Sequence, residues 1–312
     1  MSLGSLRGKA RVAAALSAIE ANFDARETAD LLDEAFSNPK GLVTGITGPP
    51  GAGKSTLIDA MLADWRKAGQ TVAVFAVDPS SRATGGALLG DRVRMRADPD
   101  DEGVLIRSAA ARGRLGGLSS IAYPAAVLLR ALYDRVIVES VGVGQSETDI
   151  ATVADTVVLC IQPASGDSLQ FMKAGIAEIP DIAVVTKADM GAAATRALAD
   201  LKGALSLAHR DKGVWEPECL SVSVTQKRES VGHLFAAFSR REAWLASENR
   251  LARQREAQAR IWLRSEIEAA FGARGLALAD ETFSGVFNAL PFASARRALA
   301  EFAVIRRPFE DR

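Results

Sequence analysis

The stretch Leu42-Val43-Thr44-Gly45-Ile46-Thr47-Gly48-Pro49-Pro50-Gly51-Ala52-Gly53-Lys54-Ser55-Thr56 joins a β-rich run to a glycine-rich turn. Immediately after it, Leu57, Ile58, Met61, Leu62 and Trp65 fall on one helical face, so the order reads strand, loop, helix. Gly48 to Ser55 satisfies G-x-x-x-x-G-K-S/T in the setting where that pattern has a mechanism. Glycines let backbone N–H groups turn toward phosphates, and the following helix N-terminus adds a favourable dipole. Lys54 then reaches the β- and γ-phosphates, and Ser55 supplies a hydroxyl to Mg²⁺. The whole loop, with Pro49, Pro50, Gly51, Ala52, Gly53 and Thr56, is the candidate phosphate cradle.

Outward from this loop, further short apolar runs occur at 71–77, 135–138, 156–161 and 182–185, with helical stretches between most of them. Apolar strands alternating with helices predict an α/β fold: a P-loop NTPase domain whose mainly parallel sheet is covered on both faces. Before it, 7–36 repeats apolar positions at helical spacing until Asn38-Pro39, which predicts a helical N-terminal extension over 1–39. The nucleotide-binding domain then spans 40–238. Beyond it, 239–312 is Arg- and Glu-rich helical sequence carrying Trp244, Leu245, Leu251, Ile261, Trp262, Leu263 and Phe271. Two readings stay open there: amphipathic packing on the chain's own domain, or an arm that makes a homodimer.

Composition removes several function classes. With 312 residues, 48% hydrophobic and 24% charged, the chain can bury a sizeable core. Lys+Arg and Asp+Glu both number 38, which leaves no positive excess for nucleic acid. No run approaches a membrane span and no signal peptide opens the chain, so a cytoplasmic protein is expected. Cys160 and Cys219 stand far apart without CxxC spacing, which argues against a disulfide scaffold or zinc knuckle and leaves any metal to oxygen ligands. His209 and His233 read as surface or loop residues.

Further chemistry lies at the ends of the expected strands. Arg135 to Glu139 is an apolar strand ending in a carboxylate, with Gly142 three residues on. Glu139 takes the place of a Walker-B acid for Mg²⁺, with a longer arm that a site built through water or a shifted metal position accepts, or is a plain strand-end carboxylate. Gly142 would offer its N–H to the γ-phosphate, so that 143–147 senses that group. Thr186-Lys187-Ala188-Asp189 has the form of a guanine reader. The Asp189 carboxylate can accept from guanine N1–H and the N2 amine, whereas adenine would leave it unpaired. Lys187 can lie across the base. A hydroxyl at Thr186, in place of the usual Asn, cannot reproduce every amide contact that braces such a loop; a helix-capping turn is the competing reading. The run Leu220 to Thr225 would bring the backbone of Ser223 and Val224, with Thr225, toward the base. Asp78 closes a strand and Asp91 lies in a polar segment beyond it, so both are candidates for Mg²⁺ or water positioning, or for turn and N-cap chemistry.

These residues resemble the MeaB/ArgK-type G proteins, relatives of the methylmalonic aciduria type A protein, within the SIMIBI class of P-loop GTPases. The resemblance runs from Gly45 to about Thr225. It includes VDPSS at Val77 to Ser81, LGDRVRM up to Met95, LGG at Leu115 to Gly117, ESVGVGQSE at Glu139 to Glu147, and TKAD. It implies a Mg²⁺-dependent GTPase, turning GTP into GDP and phosphate, that gates cofactor loading and reactivation of an adenosylcobalamin-dependent acyl-CoA mutase, with the adenosyltransferase as a further partner. It implies Mg²⁺ and catalytic positions at Ser55, Asp78, Asp91 and Glu139, Arg94 near the phosphates and Asp189 on guanine. It also implies a third switch from Gln162 to Lys173 that relays nucleotide state to the mutase. Thr186, Ala164-Ser165 and 106–114 depart from the family pattern, which makes a different acyl-CoA mutase a candidate client.

The attacking water is left to Gln145 or Asp78, between which spacing does not choose. Competing readings are a nickel-insertion type GTPase, a P-loop kinase and a nucleotide-dependent interaction module. The first lacks a cluster of soft ligands, and the second would need an acceptor pocket and lid.

Overall fold

The computed structural model describes residues 1–78, 98, 100–110, 121–140, 149–164, 178–207, 213–226, 229–282 and 290–310. Its centre is a seven-stranded sheet of β1 (Leu42–Thr47), β2 (Val72–Asp78), β3 (Val104–Ala110), β4 (Arg135–Glu139), β5 (Thr156–Ile161), β6 (Ile182–Val185) and β7 (Glu218–Ser221). The order is β3-β2-β4-β1-β5-β6-β7, and every pairing is parallel. Central strands β1, β4 and β5 are buried almost throughout, as parallel strands covered by helices on both faces must be.

One face is covered by α3 (Lys54–Lys67), whose Leu57, Ile58, Met61 and Trp65 share a core with Ile46, Val74 and Ile137. The other face carries α4 (Ala122–Leu132), packed with Val43, Phe75 and Val136. Helix α5 (Ala192–Ser206) covers β5 and β6 through Ala194, Leu201 and Leu205.

The helical N-terminal extension expected from the sequence is built as two helices, α1 (Lys9–Ala21) and α2 (Arg26–Ser37). The break falls at Asn22, whose Oδ1 accepts the N–H groups of Asp24 and Ala25, both at 3.2 Å. Asparagine offers the backbone this alternative to the helical ladder. Strand β3 was not among the expected strands because it is an edge strand and carries Arg107 in its middle. The Arg107 guanidinium turns outward to Glu20 Oε2 at 2.7 Å and Ser17 Oγ at 3.1 Å on α1. Finally, β7 starts and ends earlier than the run at 220–225 suggested.

The C-terminal part forms α6 (Glu229–Ala246), α7 (Arg250–Thr282) and α8 (Pro291–Glu310). Through Ile267, α7 packs on its own domain at the amino ends of the central strands. Arg255 donates to both oxygens of Asp155, at 2.9 and 2.7 Å, and to the Gly41 carbonyl at 2.8 Å. Asp155 also accepts the Val43 N–H at 2.7 Å. Trp262 stacks on Tyr123 and meets Phe292, so α4, α7 and α8 share one aromatic core. Asp33 on α2 accepts the N–H groups of Phe292 and Ala293, at 3.0 and 2.7 Å, and so caps α8 just after its initial Pro291. Among the described residues, no helix is long and apolar enough to cross a membrane.

Candidate functional site

In a parallel sheet the ligand crevice lies at the carboxyl ends of the strands. Among the described residues, four loops meet there: Gly48–Gly53 after β1, the turn at Thr186–Asp189 after β6, the start of the segment after β5, and Val222–Gln226 after β7. Asp78 ends β2 at the same edge, and Glu139 ends β4 between Ile46 of β1 and Ala76 of β2. Asp91, Arg94, Gly142 and Gln145 lie outside the described residues, as do Val143 to Glu147 and the third-switch segment beyond Ala164.

The loop after β1 is shaped by its glycines. Gly48 has φ 136°, and a Cβ there would sit 2.0 Å from the carbonyl oxygen of Cys160 on β5, so no other residue lets the two backbones approach this closely. Gly53 has φ 82° and starts α3 from the left-handed region. The buried Lys54 ammonium donates to the carbonyls of Gly48, at 2.7 Å, and Pro49, at 3.3 Å. The lysine thus curls back over its own loop. Ser55 is half-buried and Thr56 exposed in the first turn. Below the loop, Ser140 Oγ donates to Thr47 Oγ1 at 2.9 Å, pinning the ends of β1 and β4 to each other. Sequence reading missed this pair, although each hydroxyl residue directly adjoins a singled-out feature, Gly48 or Glu139.

The electrostatics near the loop are set by burial. Burial pushes the Cys160 thiol up to about 12, with Lys54 pulling it down and Glu139 adding to the rise. Both charged groups are therefore close to Cys160, and the thiol stays protonated and inert. Glu139 is itself buried. Cys219 lies on β7, two strands from Cys160, so the cysteines form no shared soft-ligand site.

The turn after β6 is fastened to the phosphate loop. The Thr186 hydroxyl lies 2.7 Å from the Ala52 carbonyl and 3.0 Å from that of Ile161. One O–H thus lies between two acceptors and joins the turn to the phosphate loop and to the end of β5, with fewer contacts than the donor and acceptor pair of an amide could make. Lys187 takes φ 53° and donates to Gly51 O at 3.2 Å and Gln162 Oε1 at 2.6 Å. Asp189 is half-buried, and its Oδ1 accepts from Ser223 Oγ at 2.5 Å. Ser223 Oγ accepts the Gln226 N–H at 3.3 Å, and the Ser223 N–H is taken by Ser230 Oγ at 2.9 Å. Sequence reading gave Ser223 a backbone role; here its side chain aims the carboxylate. Val224 is half-buried against the α3 core and Thr225 is exposed.

The arrangement is a phosphate loop and a carboxylate-bearing loop locked together at one sheet edge, able to hold a nucleotide by both ends. Comparison with known proteins agrees. The family model described as methylmalonyl Co-A mutase-associated GTPase MeaB matches residues 12–277. A Pyrococcus horikoshii protein bearing a GTPase name is 47% identical over 216 residues, 68% of each chain. The GTPase ArgK of Escherichia coli is 39% identical over 229 residues, 72% of this chain and 68% of its own. The chain thus spans about two thirds of the length of these relatives. A crystal structure of a LAO/AO transport system kinase aligns over 97% of this chain and 96% of its own, with a TM-score of 0.66 and 28% identity.

Proposed function

We propose, from the premise that this chain belongs to the MeaB family of mutase-associated GTPases, that it is a G-protein chaperone which gates cofactor loading and reactivation of an adenosylcobalamin-dependent acyl-CoA mutase. The observation that carries the nucleotide part is Asp189, held by Ser223 in a loop bonded to the phosphate loop through Thr186 and Lys187. A fixed carboxylate has two acceptor oxygens for guanine N1–H and N2, and it repels the adenine edge, which offers no such pair.

Hydrolysis would proceed by in-line attack of water on the γ-phosphoryl of GTP, with loop N–H groups and Lys54 stabilising the charge that spreads over its oxygens. Ser55 and the buried Glu139 are hard oxygen donors at the same edge and suit Mg²⁺. Bound there, the ion would neutralise charge on the β- and γ-phosphates. By family resemblance Asp78 and Asp91 would join them in holding the ion, Arg94 would serve the phosphates, Gly142 would sense the γ-phosphate, and Gln145 or Asp78 would position water. Residues 1–39 and 239–312 act as helical extensions of the GTPase domain at 40–238, and the latter supports a homodimer.

The test is GTP and ATP turnover by the purified protein, alone and with a panel of adenosylcobalamin-dependent acyl-CoA mutases. GTP-selective turnover accelerated by one mutase supports the chaperone reading and identifies the client. GTP turnover indifferent to every mutase retains the GTPase and overturns the partner assignment.

A further inference from the structure

Gln162 is the first residue after β5, and nothing in the reading of the guanine loop requires it. Yet its carboxamide oxygen, 2.6 Å from Lys187 Nζ, is, among the described residues, nearer to this ammonium than Gly51 O at 3.2 Å. Gln162 also flanks the phosphate loop, since a Cβ on Gly51 would lie 3.8 Å from its Nε2. Its own position is fixed by its neighbour. The Ile161 carbonyl accepts the Thr186 N–H at 2.8 Å and the Thr186 hydroxyl at 3.0 Å. The last residue of β5 and the base-reading turn are thereby one unit.

Lys187 is exposed, and an exposed lysine carries about 2 kcal/mol of rotamer entropy. A stem free to wander would have to be ordered each time a base arrived. With its head held by Gln162 and Gly51, the four-carbon stem spans from the backbone turn to the phosphate loop. Asp189, whose carboxylate would read the base edge, follows two residues on in the same turn.

We propose that Gln162 is a positioning residue for the nucleotide: it fixes the Lys187 ammonium so that the lysine stem is pre-arranged against the face of the bound base. This rests on the guanine reading of Asp189. It differs from that reading in what it senses, because a stem lying on the ring face is indifferent to the exocyclic N2 amine, whereas Asp189 is not.

The experiment measures release of fluorescently labelled GDP and IDP from the full chain, with ADP as control. Two variants are compared: Gln162→Met, which keeps the volume and loses the acceptor, and Gln162→Glu, which keeps an acceptor. The expected result is that Gln162→Met accelerates release of GDP and IDP alike by about tenfold, the worth of one charge-assisted hydrogen bond, while Gln162→Glu releases no faster than wild type. Gln162→Met indistinguishable from wild type, or Gln162→Glu as fast as Gln162→Met, overturns the proposal and leaves the guanine reading intact. Acceleration confined to GDP overturns it as well, since that pattern belongs to edge reading. A wild-type protein that holds ADP as tightly as GDP overturns the guanine reading and this proposal with it.

Discussion

The hydrogen bond from Ser223 to Asp189 is where the proposed base preference is tested most directly. Asp189→Ala removes both acceptors for the guanine edge and is expected to lower the GTP-over-ATP affinity ratio by roughly two to three orders of magnitude, with circular dichroism unchanged. Equal ratios before and after would show that this turn is not the base reader. Ser223→Ala removes one hydrogen bond to the carboxylate, and GTP affinity should fall about tenfold, as the loss of one hydrogen bond to a charged group implies; isothermal titration reads both. A third residue-scale effect concerns pH. Burial raises the Asp134 carboxyl, but the Thr71 hydroxyl and N–H and the Lys40 ammonium outweigh it and bring it to about 2. Its folded value lies below its unfolded one, so its stabilisation is complete above about pH 4 and is lost as pH falls toward 2. Urea unfolding of wild type and Asp134→Asn over that range should show the two curves converging as the solution becomes more acidic. A constant gap would assign the effect elsewhere.

At the scale of elements, the decisive joint is between α7 and the amino ends of β1 and β5. Arg255 and Asp155 are both buried, and Asp155 also receives the Val43 N–H. Removing one member leaves the other charge without its partner in the interior, so Arg255→Ala should cost about 3–5 kcal/mol in denaturant unfolding. A cost below about 1 kcal/mol, the range of exposed ion pairs, would mean that α7 is not seated this way. The cap from Asp33 to α8 is a smaller joint: Asp33→Ala should cost about 1 kcal/mol. Neither joint was visible along the chain, because Asp155 and Arg255 are a hundred residues apart and Asp33 and Phe292 more than two hundred and fifty. Strand β3 escaped for a related reason. Its Arg107 reads as polar until α1 supplies Glu20, a partner that only folding brings alongside.

For the whole molecule, the C-terminal helices raise the question of assembly. The part of α7 through Ile267 is used within its own domain, where Trp262 and Leu263 are buried, while Ile261 stays half exposed on the outer face. A homodimer built on this region is expected to give twice the chain mass in light scattering, and a monomeric mass at micromolar concentration would remove it. The sequence by itself determined the glycine-rich loop, the parallel α/β order and the turn that carries Lys187 and Asp189, because each depends on local chemistry: glycines for φ near 80° or beyond, apolar runs for buried strands, a carboxylate two residues after a lysine. Only the tertiary structure decided which groups hold those pieces still. Thr186 joining two loops, Ser223 aiming Asp189, Gln162 holding Lys187 and Arg255 anchoring α7 all depend on elements that the sheet brings together from separate parts of the chain. Hydrogen bonds act over about 3 Å, and the order of strands in the sheet sets which residues come within that reach.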